Sequence, residues 1–187
     1  MLDRRLLLLG LAAAVPAACT SPSPTLYVLA PLPGTPQPGV PRTVELREIG
    51  LARYLERSQI VRSSEGYHLD VLSNEWWGEP LAAMLSRVLV QALTQRLPGS
   101  TVFAESGAIN VDAVAKVAVN IQRLDADASG AVVLIAQVEV SGKSTLTRDV
   151  RLTVPPPAPG TPGLVEAMSQ AIAQLADMIA GMLHGGG

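Results

Sequence analysis

The hydrophobic period of this chain changes at Pro80. From there Leu81, Met84, Leu85, Val88, Leu89, Ala92, Leu93 and Leu97 recur at steps of three and four, with Arg87, Gln91, Gln95 and Arg96 largely on the other side. The spacing predicts an amphipathic helix that Pro98-Gly99 stops, with an apolar face wide enough to pack on a sheet. A second helix follows Thr161-Pro162, which supplies an N-cap and a proline for the first turn. Leu164, Val165, Met168, Ile172, Leu175, Met178, Ile179 and Leu183 form its stripe, opposite Glu166, Gln170, Gln174 and Asp177.

Elsewhere the period is two. Val44 and Leu46 alternate with Thr43, Glu45 and Arg47 until Gly50 interrupts them. The runs "QIVR" and "YHLDVL" flank Ser63-Ser64-Glu65-Gly66, a hairpin turn by composition. In the second run Tyr67, Leu69 and Val71 point one way, His68 and Asp70 the other. Beyond "TVFAE" come "AKVAVNIQRL", "AVVLIAQVEV" and "STLTRDVRLTV", joined by "DADASG" and "SGKS". Two tight connections between β-rich runs mean an antiparallel meander. In the third run Leu146, Val150, Leu152 and Val154 share a face that only Arg148 breaks. Two helices and about seven short strands, without sustained alternation, give an α+β class: a mostly antiparallel sheet with both amphipathic helices packed on one face. The Pro/Gly stretches "APLPGTPQPGVP" and "PPPAPGTPG" do not divide the chain, because neither half holds a core of its own.

The first residues are not part of that fold. Asp3-Arg4-Arg5 is a charged leader, Leu6 to Val15 an apolar run of ten, and Pro16-Ala17-Ala18 leads into Cys19, the only cysteine. A bilayer-spanning helix needs about 20 apolar residues, so residues 1–18 read as a secretory signal peptide. A cysteine directly after two small residues resembles a bacterial lipobox, with Pro16 where an aliphatic residue is usual. Cys19 is therefore the expected lipidation site; ordinary cleavage near Ala17-Ala18 would leave it a free thiol. Thr20, in place of Asp, follows the usual sorting pattern for the outer membrane. Residues 19–41 then form a lipidated tether and Pro-rich segment, and 42–187 a single domain whose sheet the strand around Tyr27 joins. Removing residues 1–18 leaves 169 residues and shifts the formal charge from −2 to −3. That acidity speaks against a nucleic-acid partner, which calls for clustered Lys and Arg.

Chemistry is scarce along the chain. His68 and His184 stand 116 positions apart without a cysteine partner in the fold, so no metal site is expected. No phosphate-binding glycine loop and no nucleophile elbow occurs, which leaves no catalytic residues and no cofactor to assign. "DADASG" begins like a calcium loop, with Asp125, Asp127 and Ser129, but position twelve is Ala136 where a bidentate Glu belongs. Its residues suit a hairpin turn instead.

The order of segments carries more information. "YVL" before a proline, Tyr54, Leu55, Arg57, Gln59, Ile60 and Val61 in "YLERSQIV", and Trp77, Glu79, Pro80 and Leu81 in "WGEPL" together resemble the PqiC/YmbA family, the ABC-type transport auxiliary lipoproteins. Ser63 stands where that family commonly has Arg, and Gly78 replaces Ala. The resemblance covers the mature chain. It implies a non-catalytic lipoprotein at the periplasmic face of the outer membrane, docked to an MCE-domain protein of an envelope lipid-transport system and assembled as a homo-oligomeric ring. Membrane integrity would depend on that system. A stand-alone lipoprotein that binds lipid or another hydrophobic ligand is the alternative, and it requires a pocket. Tyr54, Arg57, Gln59 and Trp76 are the candidate partner contacts, with packing inside the fold as the other reading of that block. Trp77, Glu79, Pro80 and Leu81 open the helix. Gly78 is expected to permit the turn, and Trp77 to plug an aliphatic seam while Trp76 points elsewhere.

Overall fold

A computed structural model describes residues 23–37, 39, 43–63, 67–109 and 111–185. The expected signal peptide, Cys19 and the Ser64-Glu65-Gly66 part of the first hairpin turn lie outside the described residues.

The chain forms β1 (Thr25–Tyr27), β2 (Thr43–Leu46), β3 (Gly50–Leu51), a single 3-10 turn (Arg53–Leu55), β4 (Gln59–Ser63) and β5 (Leu69–Trp77). Then come α1 (Leu81–Arg96), β6 (Thr101–Ala104), β7 (Ala115–Ala126), β8 (Val132–Ser141), β9 (Thr145–Val154) and α2 (Gly160–Gly185). The class is α+β, with mostly antiparallel pairing. The meander of β7, β8 and β9 is its largest part, and the hairpins fall at the two tight connections. Helix α2 starts at Gly160, one residue ahead of its expected Thr161 cap.

Two features go beyond the sequence reading. The described residues hold nine strands, and they form two sheets. The large sheet runs β6-β2-β7-β8-β9, with β3 also on β7; the small one runs β1-β5-β4. Parallel pairs also occur: β2 lies parallel to β6 and β7, β3 to β7, and β1 to β5. Periodicity shows which residues face inward, whereas parallel pairing is set by where the crossovers return the chain. Tyr67, Leu69 and Val71 are exposed together, so the face they share is the solvent side. The β4–β5 register changes from Gln59↔Trp76 to Val61↔Val71, which inserts three extra residues on β5. An odd insertion inverts every later side chain, so the alternation around Leu69 does not continue to the buried Trp77.

The core is aliphatic and lies between the large sheet and the helices. Helix α2 packs on β7, β8 and β9, and α1 packs on α2 and β6. Val44, Leu46, Val117, Ile121 and Leu134 from the sheet meet Leu85, Leu89, Leu93, Ile172 and Ile179 from the helices with almost no exposure. The small sheet adds Ile60, Val61 and Trp77 to the same cluster.

Candidate functional site

The Pro-rich segment after β1 runs across both helices. Leu29 is buried and its N–H donates to Met84 Sδ on α1 at 3.0 Å. The Ala30 N–H donates to Ser169 Oγ on α2 at 3.2 Å. Arg96, placed by its residue type on the outer face of α1, is instead fully buried. Its guanidinium donates to Asp177 Oδ1 at 2.6 Å and to the carbonyls of Ala92, Ala173 and Leu32 at 3.1, 3.2 and 3.3 Å. The Arg96 carbonyl in turn accepts from the Gln37 N–H at 2.7 Å. Gly34 lies directly on the guanidinium: a Cβ there would stand 2.1 Å from Arg96 Cζ. One residue thus joins α1, α2 and the strap, its side chain reaching Leu32 and its backbone carbonyl Gln37. Its position, three and four residues after Leu93 and Ala92, was the available signal.

The "YLERSQIV" block is divided between inside and outside. Leu55, Ile60 and Val61 are buried, Tyr54 is half-buried, and Arg57 is exposed. The Tyr54 hydroxyl donates to Asp125 Oδ2 at 2.6 Å, and the Ser63 hydroxyl donates to Asp125 Oδ1 at 2.9 Å. Arg123 Nε donates to the same Oδ1 at 3.0 Å. Burial, then the bond to Asp125, then the charge of Asp125 push the Tyr54 pKa well above its ordinary value. Asp125 had been read as part of the turn; it sits inside β7, with 1% exposure. The turn proper is centred on Asp127, whose Oδ1 accepts from the Ser129 hydroxyl, the Ser129 N–H and the Ala131 N–H at 2.6, 2.9 and 3.2 Å. Those bonds, the Ser129 hydroxyl first, lower the Asp127 pKa.

The two tryptophans separate as expected. Trp77 is 7% exposed and belongs to the core, its N–H donating to the Ser58 carbonyl at 2.7 Å. Beside it Gly78 donates to the Tyr27 carbonyl at 2.8 Å. Gly78 does not have a positive φ; a Cβ there would crowd Val28 Cγ1 at 3.1 Å, so close approach rather than turn geometry favours glycine. Leu81 starts the buried stripe after Pro80, and Glu79, just ahead of α1, pairs with Arg87 within the helix. Trp76 is partly exposed, its indole N–H donating to the Ser73 carbonyl at 2.8 Å.

Register aligns Trp76 with Gln59 on one side and Leu26 on the other. Directly opposed residues project from the same side of a sheet, so Leu26, Trp76 and Gln59 form one row. Leu26 is 62% exposed and Val28, two residues on, 58%. Arg57 lies two residues before Gln59 and is exposed. The structure therefore brings two of the four candidate contacts, Gln59 and Trp76, into this row and directs Tyr54 to Asp125. Leu26 was missed because the short strand-like run from Leu26 to Leu29 carries no local sign of the strand it will pair with. At the other end of β4 and β5, an open groove of about 680 Å³ runs between Arg62, Asp70 and Leu72, the Asp127 to Gly130 turn, and the Pro156 to Thr161 connector. Among the described residues no three His, Cys, Asp or Glu side chains gather as a metal site.

The profile of the ABC-type transport auxiliary lipoprotein component matches residues 27–180. The chain belongs to that family. It is thus a lipoprotein associated with an ABC-type transport system. Two crystal structures share its fold. One, of an uncharacterized protein, is 21% identical, covers 87% of this chain and 99% of its own, and has a TM-score of 0.74. The other, protein XCC0632 from Xanthomonas campestris, of family DUF330, is 19% identical, covers 87% and 96%, and has a TM-score of 0.71. No curated protein matches. No helix among the described residues is long and apolar enough to cross a membrane, which fits attachment of a transport lipoprotein to the envelope by lipid.

Proposed function

We propose that this lipoprotein is a non-catalytic docking subunit of an MCE/ABC-type envelope lipid-transport system. Cys19 carries the lipid, the domain stands on the periplasmic face of the outer membrane, and an MCE-domain protein binds it, with a ring of identical copies as the assembled form. The family match over residues 27–180 carries this reading, because it joins a lipoprotein to ABC-type transport across nearly the whole folded domain. The test is affinity isolation of the full chain from detergent-solubilised envelopes. Recovery of an MCE-domain protein in stoichiometric amount is expected. A lone protein that brings lipid with it would overturn the docking role. A Cys19→Ser form that still sediments with membranes would remove the lipid anchor.

The groove of about 680 Å³ favours a second reading, a carrier of a hydrophobic ligand. Its wall mixes prolines, Leu72 and Leu164 with Arg62, Asp70 and Asp127, and it opens widely to solvent. Lipid bound there without an MCE partner is the outcome that would favour it.

A further inference from the structure

We propose that the row of Leu26 and Trp76, extended by Val28, rests on the lipid bilayer that holds the anchor. This rests on Cys19 being the lipidated residue, and it adds which face of the domain meets the membrane.

The argument begins with chain length. Cys19 and Thr25 are six residues apart, and an extended chain advances at most ~3.6 Å per residue, so the start of β1 stays within about 22 Å of the anchored cysteine. That tether cannot lengthen by drawing on the domain. Leu29 is buried, the Ala30 N–H is held by Ser169, and the Leu32 carbonyl is held by the buried Arg96. Strand β1 itself is hydrogen-bonded to β5, with Tyr27 opposite Trp77. The first described element after the anchor is therefore fixed to the domain and kept near the headgroups.

That element is also where apolar side chains are left open. Leu26 and Val28 are 62% and 58% exposed, and Leu26 is the register partner of Trp76. A partly exposed indole beside aliphatic side chains suits the membrane interface, where an apolar ring body meets a polar boundary. The charged residue that the register places beside the row is Glu75, opposite Thr25, so the contact draws on apolar area rather than on a basic cluster. It should persist at high salt.

The test uses the full lipidated protein on vesicles of phosphatidylethanolamine and phosphatidylglycerol that contain a lipid with a shallow fluorescence quencher. Trp76 and Trp77 are the only tryptophans, and Trp77 is 7% exposed in the core. Quenching of the native emission is expected, and Trp76→Phe should abolish most of it. Leu26→Ser with Val28→Ser should reduce it while the thermal transition stays in place, since both side chains are exposed. Flotation is measured on the same samples. A protein that floats but whose tryptophans are not quenched overturns the proposal alone; one that does not float overturns the lipid anchor, and this surface with it. Quenching unchanged by all three substitutions also overturns it. So does a disulfide between two copies of Leu26→Cys, or loss of the MCE protein from Trp76→Ala without loss of quenching, because the row would then face protein.

Discussion

Asp125 and Arg96 are shut away from solvent to the same degree, at 1% and 0% exposure, yet they are held by different kinds of group. Asp125 takes its hydrogen bonds from three side chains, Tyr54, Ser63 and Arg123, and so links β4 and the 3-10 turn to β7. Arg96 has one carboxylate partner, Asp177, and spends its other donors on backbone carbonyls of α1, α2 and the Pro-rich strap. The first node depends on which residues stand around it. The second depends on where the chain runs, and it can be replaced by no other residue type, because a planar fork of donors is needed to reach three carbonyls and a carboxylate together.

The largest effect expected from breaking this contrast is at Arg96. Arg96→Ala should lower unfolding free energy by about 2–5 kcal/mol in urea denaturation, through the cavity and the carbonyls left without a donor, since Asp177 itself is half exposed, and Arg96→Lys should recover little of it. At the other node Asp125→Asn keeps an acceptor but turns a donor toward Tyr54, Ser63 or Arg123, and should cost about 1–3 kcal/mol by the same measurement.

Tyr54→Phe is smaller near neutral pH, about 1 kcal/mol, and it has a pH signature. The folded pKa of Tyr54 lies above the ordinary 10.0 through burial and Asp125. Above that ordinary value the unfolded chain releases a proton that the folded chain keeps, so the contribution of Tyr54 is full below pH 10.0 and falls as pH rises beyond it. Wild type and Tyr54→Phe should therefore converge in stability through the alkaline range. Parallel curves would mean that the hydroxyl is not held by Asp125. The smallest effect is at the exposed Glu79–Arg87 pair, where Glu79→Gln should change stability by less than about 0.5 kcal/mol in the same titration.

Much of the scaffold was legible. The stripe from Leu81 to Leu97 is buried as its spacing requires, and the two tight turns close the hairpins of the meander. Arg96 was misplaced because its residue type outweighed its position: Leu89, Ala92, Leu93 and Arg96 lie on one helical face, all buried. Asp125 was misread for a related reason. Its composition suits a turn, and only pairing with Val133 shows that the strand continues through it. For the candidate surface, Gln59 was found by its family motif and Trp76 as the tryptophan just outside one, whereas their alignment with Leu26 depends on a parallel pair between segments about fifty residues apart.

The sequence alone determined the helices, the inward faces of the longest strands and the family motifs. These are properties of spacing and residue type within short windows. Only the tertiary structure decided the two-sheet division, the path of the strap over α1 and α2, the partners of Arg96 and Asp125, and the exposed row beside the tether. Each of these is a contact between distant segments, and such contacts are set by loop closure and packing of the whole chain rather than by any local pattern.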